Sequence, residues 1–359
     1  MGELGCYRRD GFPTPLIATG LVQSSAMQCV QVRHPATMNM SQERHDTYSI
    51  EVVMTSRETF EYECVIVGGG PAGLTAAVYL ARFQRRVLII DAGQSRARWI
   101  PISHNVPGFV DGIGGPELLA RMRSQTDAYD VPVLEATVDD IKPAKGGFEV
   151  TAGTRVITAR RVLLATGIVD NVPELPSLAA SLYGGALRLC PICDGYEATG
   201  QSIAVYGPPG RAAAEAMFLR TYSDRVTLLP ATSEEMDPAV AEQLSRRGIA
   251  VSPVPTEVNV GHKEVQVRAA DGVTQRYDVL YPALGAVVQS DLARVLGAEC
   301  EEAGCIVVDH QQRTNIEGLY AAGDVVHELN QISVALGHAA IAATDIHNSL
   351  AREDGERLG

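Results

Sequence analysis

Tyr62-Glu63-Cys64-Val65-Ile66-Val67-Gly68-Gly69-Gly70-Pro71-Ala72-Gly73 is the stretch that decides the fold. A short apolar strand runs into a glycine turn, and the alanine-rich run from Leu74 to Phe83 reads as a helix. A second strand, Arg86 to Ile90, ends at Asp91, 18 residues after Gly73. Gly68, Gly70 and Gly73 complete a G-x-G-x-x-G pattern. Such glycines let the backbone turn tightly, approach a pyrophosphate and pack a helix against a sheet. The helix N-terminus then faces the phosphate charge, and Asp91 can accept hydrogen bonds from an adenosine ribose. The expected binding turn comprises Gly68, Gly70, Pro71, Ala72 and Gly73, with Asp91 and Ala92 closing the next strand.

Working outward, Glu135 to Val150 predicts small antiparallel strands that turn at Lys145-Gly146-Gly147. Arg161 to Leu164 predicts a buried strand ending at Ala165-Thr166-Gly167. A second Rossmann-like unit starts at Ser202 to Tyr206, turns at Gly207-Pro208-Pro209-Gly210, and continues as a helix from Arg211 to Tyr222. Its next strand is Arg225 to Leu229, a helix follows over Glu242 to Arg247, and Asp278 to Leu284 begins as a further strand. The chain then returns through Leu319-Tyr320-Ala321-Ala322-Gly323-Asp324 to a long apolar helix over Ile332 to Leu350. The expected fold class is α/β, with two Rossmann-like three-layer domains, the second inserted into the first. Residues 60–171 and 289–350 form the first domain and 172–288 the insert. Residues 1–59 lack any sustained period and are expected to be a disordered extension or a start assigned too early, with Met54 a natural beginning. Residues 351–359 are expected to be a flexible tail.

With 46% hydrophobic and 20% charged residues over 359 positions, the chain has the composition and length of a soluble protein with two cores. A net charge of -13 argues against nucleic acid or an anionic membrane as partner. No stretch approaches the roughly 20 apolar residues of a membrane helix. Seven cysteines scattered over the chain are not a small secreted disulfide framework, and the expected location is the cytoplasm. Cys300 and Cys305, flanked by Glu299, Glu301, Glu302 and Gly304, have no cofactor contact suggested nearby and receive no redox role.

Cys190-Pro191-Ile192-Cys193-Asp194-Gly195 lies between the two glycine segments. A Cys-x-x-Cys pair alone can close a disulfide, coordinate a metal or do neither. A zinc site needs two more ligands of suitable spacing, and no histidine is near in sequence, so no metal is expected. Set beside a dinucleotide unit, the pair reads as a disulfide placed to exchange electrons with a flavin.

This combination resembles the low-molecular-weight thioredoxin reductases and their flavoprotein relatives, over roughly residues 60–350. The resemblance implies FAD on the first glycine motif. It matches the family's Asn-x-Pro-Gly loop to Asn105-Val106-Pro107-Gly108, and its Ala-Thr-Gly turn to Ala165, Thr166 and Gly167. The Ala-Gly-Asp element matches Ala322, Gly323 and Asp324, and Gln331 and Ile332 take the position that contacts the flavin ring. It implies further that Cys193 sits against the ring and Cys190 attacks the partner disulfide, while Asp194 manages the proton. A homodimer, a hinge between the domains and a thioredoxin or small dithiol partner are implied as well. His338 falls near the flavin or the dimer contact, as a second proton carrier or a satisfied helix histidine.

The second glycine segment departs from the family. Pro209 stands where the middle glycine of G-x-G-x-x-A belongs, removing a backbone donor and the clearance for a pyrophosphate. Where NADPH enzymes carry a basic cluster, this chain reads Leu228-Leu229-Pro230-Ala231-Thr232-Ser233-Glu234-Glu235. The insert is therefore expected to have kept its fold and lost efficient pyridine-nucleotide binding. Three activities share that pattern: a reductase fed by another donor such as ferredoxin, an oxidase of small dithiols using oxygen, and an NADPH enzyme with a degraded fingerprint. Asp194, where the oxidases tend to carry histidine, favours the reductase. A non-enzymatic flavoprotein scaffold or redox sensor is the remaining alternative.

Overall fold

The computed structural model describes residues 60–356 except positions 176 and 328; the expectation for residues 1–59 lies outside the described residues. β1 (Tyr62–Val67), α1 (Pro71–Arg82) and β2 (Val87–Asp91) open the fold, followed by α2 (Gly115–Asp127) and β3 (Val133–Glu135). β4 (Asp140–Ala144), β5 (Gly147–Ala152) and β6 (Arg155–Leu164) form an antiparallel meander. β7 (Ile168–Asp170) leads to the insert, which opens with α3 (Leu178–Gly184) and the single turn α4 (Pro191–Asp194). There β8 (Ile203–Gly207), α5 (Pro209–Leu219), β9 (Val226–Pro230), α6 (Pro238–Arg246) and β10 (Ala250–Val251) alternate. β11 (Glu257–Val260), β12 (Val265–Arg268), β13 (Thr274–Tyr277), β14 (Val279–Pro282) and β15 (Ala286–Val288) follow. α7 (Asp291–Val295), β16 (Leu319–Ala321) and α8 (Ile332–Glu353) complete the order.

The first sheet runs β3-β2-β1-β6-β5-β4, with β16 also on β6. β6 is long enough to use one edge twice: its first half pairs antiparallel with β5, and residues 162–164 pair parallel with β16. Side chains alternate across this sheet, as a pleat dictates. Cys64, Ile66, Val87, Ile89 and Leu163 face α1 and α8, whose Ala76, Ala77, Ala339, Ala342 and Ala343 let both helices approach closely. Val65, Val67, Leu88, Ile90 and Val162 face the opposite layer, which includes Phe148, Val150 and Ala293. Burial on both faces is why these strands read as continuous apolar runs.

The second sheet, β10-β9-β8-β14, is parallel throughout. Ile203, Val205, Val226 and Tyr281 pack on α5, while Ala204, Leu229 and Leu280 pack towards the antiparallel β11-β12-β13 layer and α3. All of it lies in sequence between β6 and β16, which are neighbours in the first sheet, so one Rossmann-like unit is inserted into the other. Both connections pass through one ribbon, β7 paired antiparallel with β15. Asn171 fastens its end, donating from its backbone to Gly285 O (2.9 Å) and from Nδ2 to Leu284 O (3.2 Å).

Several boundaries move outward from the sequence expectation. α1 starts at Pro71 and α5 at Pro209, because proline at the first helical position loses no intrahelical bond. α8 continues beyond Leu350 to Glu353, and the acidic residues at its end that the structure describes make ion pairs with the first domain; residues 357–359 lie outside the described residues. Glu353 and Asp354 accept from Arg160 (both 2.9 Å), and Glu356 accepts from Arg85 (2.8 Å). Gly73 is required by packing: a β-carbon there would overlap the Gly68 carbonyl oxygen. Gly73→Ala is expected to push α1 off β1 and to destabilise the fold by about 1–3 kcal/mol, read as a lower urea-unfolding midpoint.

Candidate functional site

The parallel strands β1, β6 and β16 end at one level, so three distant turns open side by side. Ala165 N donates to Val67 O (2.8 Å), and Ala322 N donates to Leu164 O (2.9 Å). Between them and the insert lies a cavity of about 800 Å³. Every residue expected at the cofactor lines it except Gly73, which sits beneath the turn. Cys190, Cys193 and Asp194 line the same cavity.

The glycine turn is shaped for an anionic group. Gly68 has φ +111° and rests against the Ala165 carbonyl, where a β-carbon would collide. The N-terminus of α1 carries no side-chain cap and no acid in its first turn, leaving its N–H groups for a ligand. At Gly69, which the fingerprint leaves as a variable position, a β-carbon would meet the Asp91 side chain. Asp91 accepts from Gly93 N (3.1 Å) and from Arg123 Nη2 (2.8 Å). The size of the cavity, the uncapped helix and the acid at β2 fit the FAD that the resemblance implies.

At the same cavity, Arg96 clamps Asp170 with two hydrogen bonds (2.6 and 2.9 Å) and reaches Asp324 Oδ2 (3.3 Å). Burial pushes the Asp324 carboxyl above the ordinary carboxylate range; Arg96 opposes that, and His338 is near enough to oppose it too. Thr166 Oγ1 donates to Gln289 O (2.6 Å), tying the Ala165–Gly167 turn to the chain after β15. Arg96, Asp170 and Arg123 were invisible to sequence reasoning, since partners 32 to 228 residues apart leave no local pattern.

Cys190 and Cys193 form a disulfide. Cys190 caps the short α4, and its Sγ accepts from Cys193 N (3.1 Å). Gln331, the N-cap of α8, turns its Nε2 to both sulfurs (3.4 and 3.5 Å) and accepts from Asn105 Nδ2 (2.9 Å). Gln331 and Asn105, expected at the cofactor, thus also hold the disulfide. Asp194 is raised to about 6 by burial, against the opposing effects of Arg188 and a hydrogen bond from Tyr281 OH to its Oδ1 (2.8 Å). Arg188 donates to the Asp194 backbone carbonyl (2.7 Å). Neither Tyr281 nor Arg188 carries a sequence signal beyond its own type. Other contacts seat the insert here: His104 pairs with Glu197 (3.1 Å), Tyr183 OH donates to Arg98 O (2.7 Å), and Trp99 packs on the insert's core.

Residues 62–339 match the profile of the pyridine nucleotide-disulphide oxidoreductases. The chain belongs to that family. The thioredoxin reductase of Mycolicibacterium smegmatis is 30% identical over 82% of this chain and 98% of its own length. Thioredoxin reductase from Streptococcus pyogenes superposes with a TM-score of 0.74 at 25% identity, covering 81% of this chain and 98% of its own. For Lactococcus lactis thioredoxin reductase in its FR conformation the TM-score is 0.54, at the same identity and with 81% and 100% covered. Within the pyridine nucleotide-disulphide oxidoreductases this chain is a thioredoxin reductase-like enzyme acting on disulfides. No helix among the described residues is long and apolar enough to cross a membrane.

The second glycine turn of this family member differs in detail. Pro208 caps α5 and Pro209 occupies its first position, so neither supplies an N–H. The Arg211 guanidinium lies against Gly285, just before β15, where a β-carbon would meet it. Beyond β9, Thr232, Ser233, Glu234 and Glu235 are all exposed.

Because the Tyr281 hydrogen bond favours the charged carboxylate, Tyr281→Phe is expected to move the Asp194 titration further up from about 6. The pH profile of disulfide exchange should shift its inflection upward in that variant, and Asp194→Asn should remove the inflection.

Proposed function

We propose that this chain is a thioredoxin reductase-like flavoprotein that passes electrons through FAD and the Cys190–Cys193 disulfide to a partner disulfide, with a donor other than NADPH. The observation that carries this is the convergence on one cavity of the disulfide, the glycine turn and the Ala322–Asp324 turn. Gly68, Gly70, Pro71, Ala72 and the α1 N-terminus would hold the pyrophosphate, Asp91 and Ala92 the adenosine ribose, and Gly323 with Asp324 the ribityl side. Asn105, Ala165, Thr166, Gly167, Gln331 and Ile332 would border the ring. Bound there, FAD supplies a two-electron carrier next to the disulfide.

The protein's own residues then account for the sulfur chemistry. Two electrons open the Cys190–Cys193 bond, leaving a thiolate and, with one proton, a thiol. The Cys193 N–H and the Gln331 amide stabilise negative charge on Cys190, which suits it to attack the partner disulfide. That attack forms a mixed disulfide and releases one partner sulfur. Cys193 attacks Cys190 Sγ, re-forming the internal bond and releasing the second partner sulfur, so that one partner disulfide becomes a dithiol. The proton that Cys193 loses on attacking passes to one partner sulfur, and Asp194, poised near 6 by its burial, supplies the one further proton that completes the dithiol and regains it from solvent.

Both sulfurs face the cavity, so a protein partner needs the insert to swing. Residues 60–171 and 289–350 are proposed as one moving body and 172–288 as the other, joined at the β7–β15 ribbon. The fall in TM-score between two thioredoxin reductases of equal identity supports two arrangements of the halves. Thioredoxin is the proposed partner, in a cytoplasmic homodimer. The prolines of the second turn and the exposed Glu234 and Glu235 favour a ferredoxin-type donor over NADPH. They equally suit the second reading, a dithiol oxidase that delivers electrons to oxygen.

Cys190→Ser and Cys193→Ser are each expected to abolish disulfide exchange while the flavin stays bound; full turnover in either variant refutes the scheme. Anaerobic reduction of the flavin, followed by its absorbance, should be fast with dithionite and slow with NADPH or NADH. Rapid bleaching by NADPH overturns the donor assignment, and reoxidation by air rather than by oxidised thioredoxin identifies the oxidase.

A further inference from the structure

Cys305 is left over by the redox chemistry. A tight turn, with Gly304 N donating to Glu301 O and Glu301 N to Cys305 O (both 2.9 Å), sets Glu301 directly across from Cys305. The arm after Cys305 pairs with the segment that follows Asp324: Ile306 bridges Val326, and Ile306 N donates to Val325 O (2.9 Å). His327 comes next, three residues past Asp324, and its Nδ1 meets Glu301 Oε2. The ligand atoms of Glu301, Cys305 and His327 all lie within 4.8 Å of one another, and among the described residues no other group of three converges this way.

We propose that Glu301, Cys305 and His327 form a metal site for a borderline divalent cation of the zinc type. Thiolate, imidazole and carboxylate are the donor set that zinc accepts, while magnesium and calcium take oxygen alone. Tetrahedral ligands at ~2.0–2.3 Å from zinc lie roughly 3.3–3.8 Å apart, a spacing these three reach by side-chain adjustment. The imidazole–carboxylate contact opens as the cation enters between them. Cys300, opposite Ile306 in the bridge, directs its Sγ to Ala298 O (3.7 Å), so the fourth position is left to water. Cys305 is half-buried and would give up its thiol proton to solvent as the cation binds, and exposure of Glu301 and His327 gives the ion its entry. A bound cation would staple the turn carrying Asp324 to the hairpin beside it.

The test is equilibrium dialysis of the oxidised, flavin-loaded full chain against buffered micromolar zinc, with metal content measured directly. Wild type is expected to hold one more equivalent per chain than Cys305→Ser or His327→Ala, with affinity at least about tenfold weaker in either variant. Cys300→Ser should match wild type, and millimolar magnesium should not compete. Cys6 and Cys29 are unchanged in every variant, so the difference counts this site alone. In the unmodified chain, zinc should also slow alkylation of Cys305, located by peptide mapping. Equal zinc in wild type and Cys305→Ser, or no protection of Cys305, overturns the proposal, and loss in Cys300→Ser overturns the ligand assignment.

Discussion

Parallel register between β1, β6 and β16 is the constraint on which the rest of the molecule depends. Val65 lies opposite Val162, and Val162 opposite Leu319, so the three strands finish together. Each then releases a turn into the same space: the glycine turn, Ala165–Gly167, and Ala322–Asp324. A slip of one residue would send each strand's core face to the wrong layer. The double-sided apolar packing that enforces register therefore also assembles the site, from segments more than 250 residues apart.

The electrostatics follow from the same layering. Buried carboxylates at the cavity are not left alone. Asp324 and Asp170 share Arg96, and Asp194 is balanced between burial, which raises it, and Tyr281 with Arg188, which hold it back. The helix N-terminus facing the cavity has no acid in its own first turn. In the insert the corresponding helix begins with two prolines, and exposed glutamates follow β9. Two topologically similar turns thus present opposite invitations to a phosphate.

Much of this was legible in the sequence because it is written locally. The glycine spacing, the acid at the end of β2, the Ala-Thr-Gly and Ala-Gly-Asp turns and the Cys-x-x-Cys pair are each contiguous, and all but Gly73 reach the cavity. The sequence pattern starts α1 and α5 late because proline, commonly a breaker, is tolerated at the first helical position. The continuation of α8 past Leu350 has no local signature, since a charged end looks loose until its partners, Arg85 and Arg160, are known. The roles of Tyr281, Arg96 and Arg123 depend wholly on contacts made across the fold. Cys300 and Cys305 looked like a pair by spacing, yet the hairpin register sets Cys300 against Ile306 and leaves Cys305 to Glu301 and His327.

The β7–β15 ribbon has a consequence for descent. Because the insert enters and leaves the first sheet through two adjacent strands, its covalent attachment is a single narrow neck. Whole replacement of the segment between Asp170 and Ala286 would need to satisfy that neck and a handful of seating contacts, leaving the first core untouched. The insert is in effect an exchangeable cassette. One half of such a protein can drift to a new electron source while the other keeps its cofactor cradle unchanged.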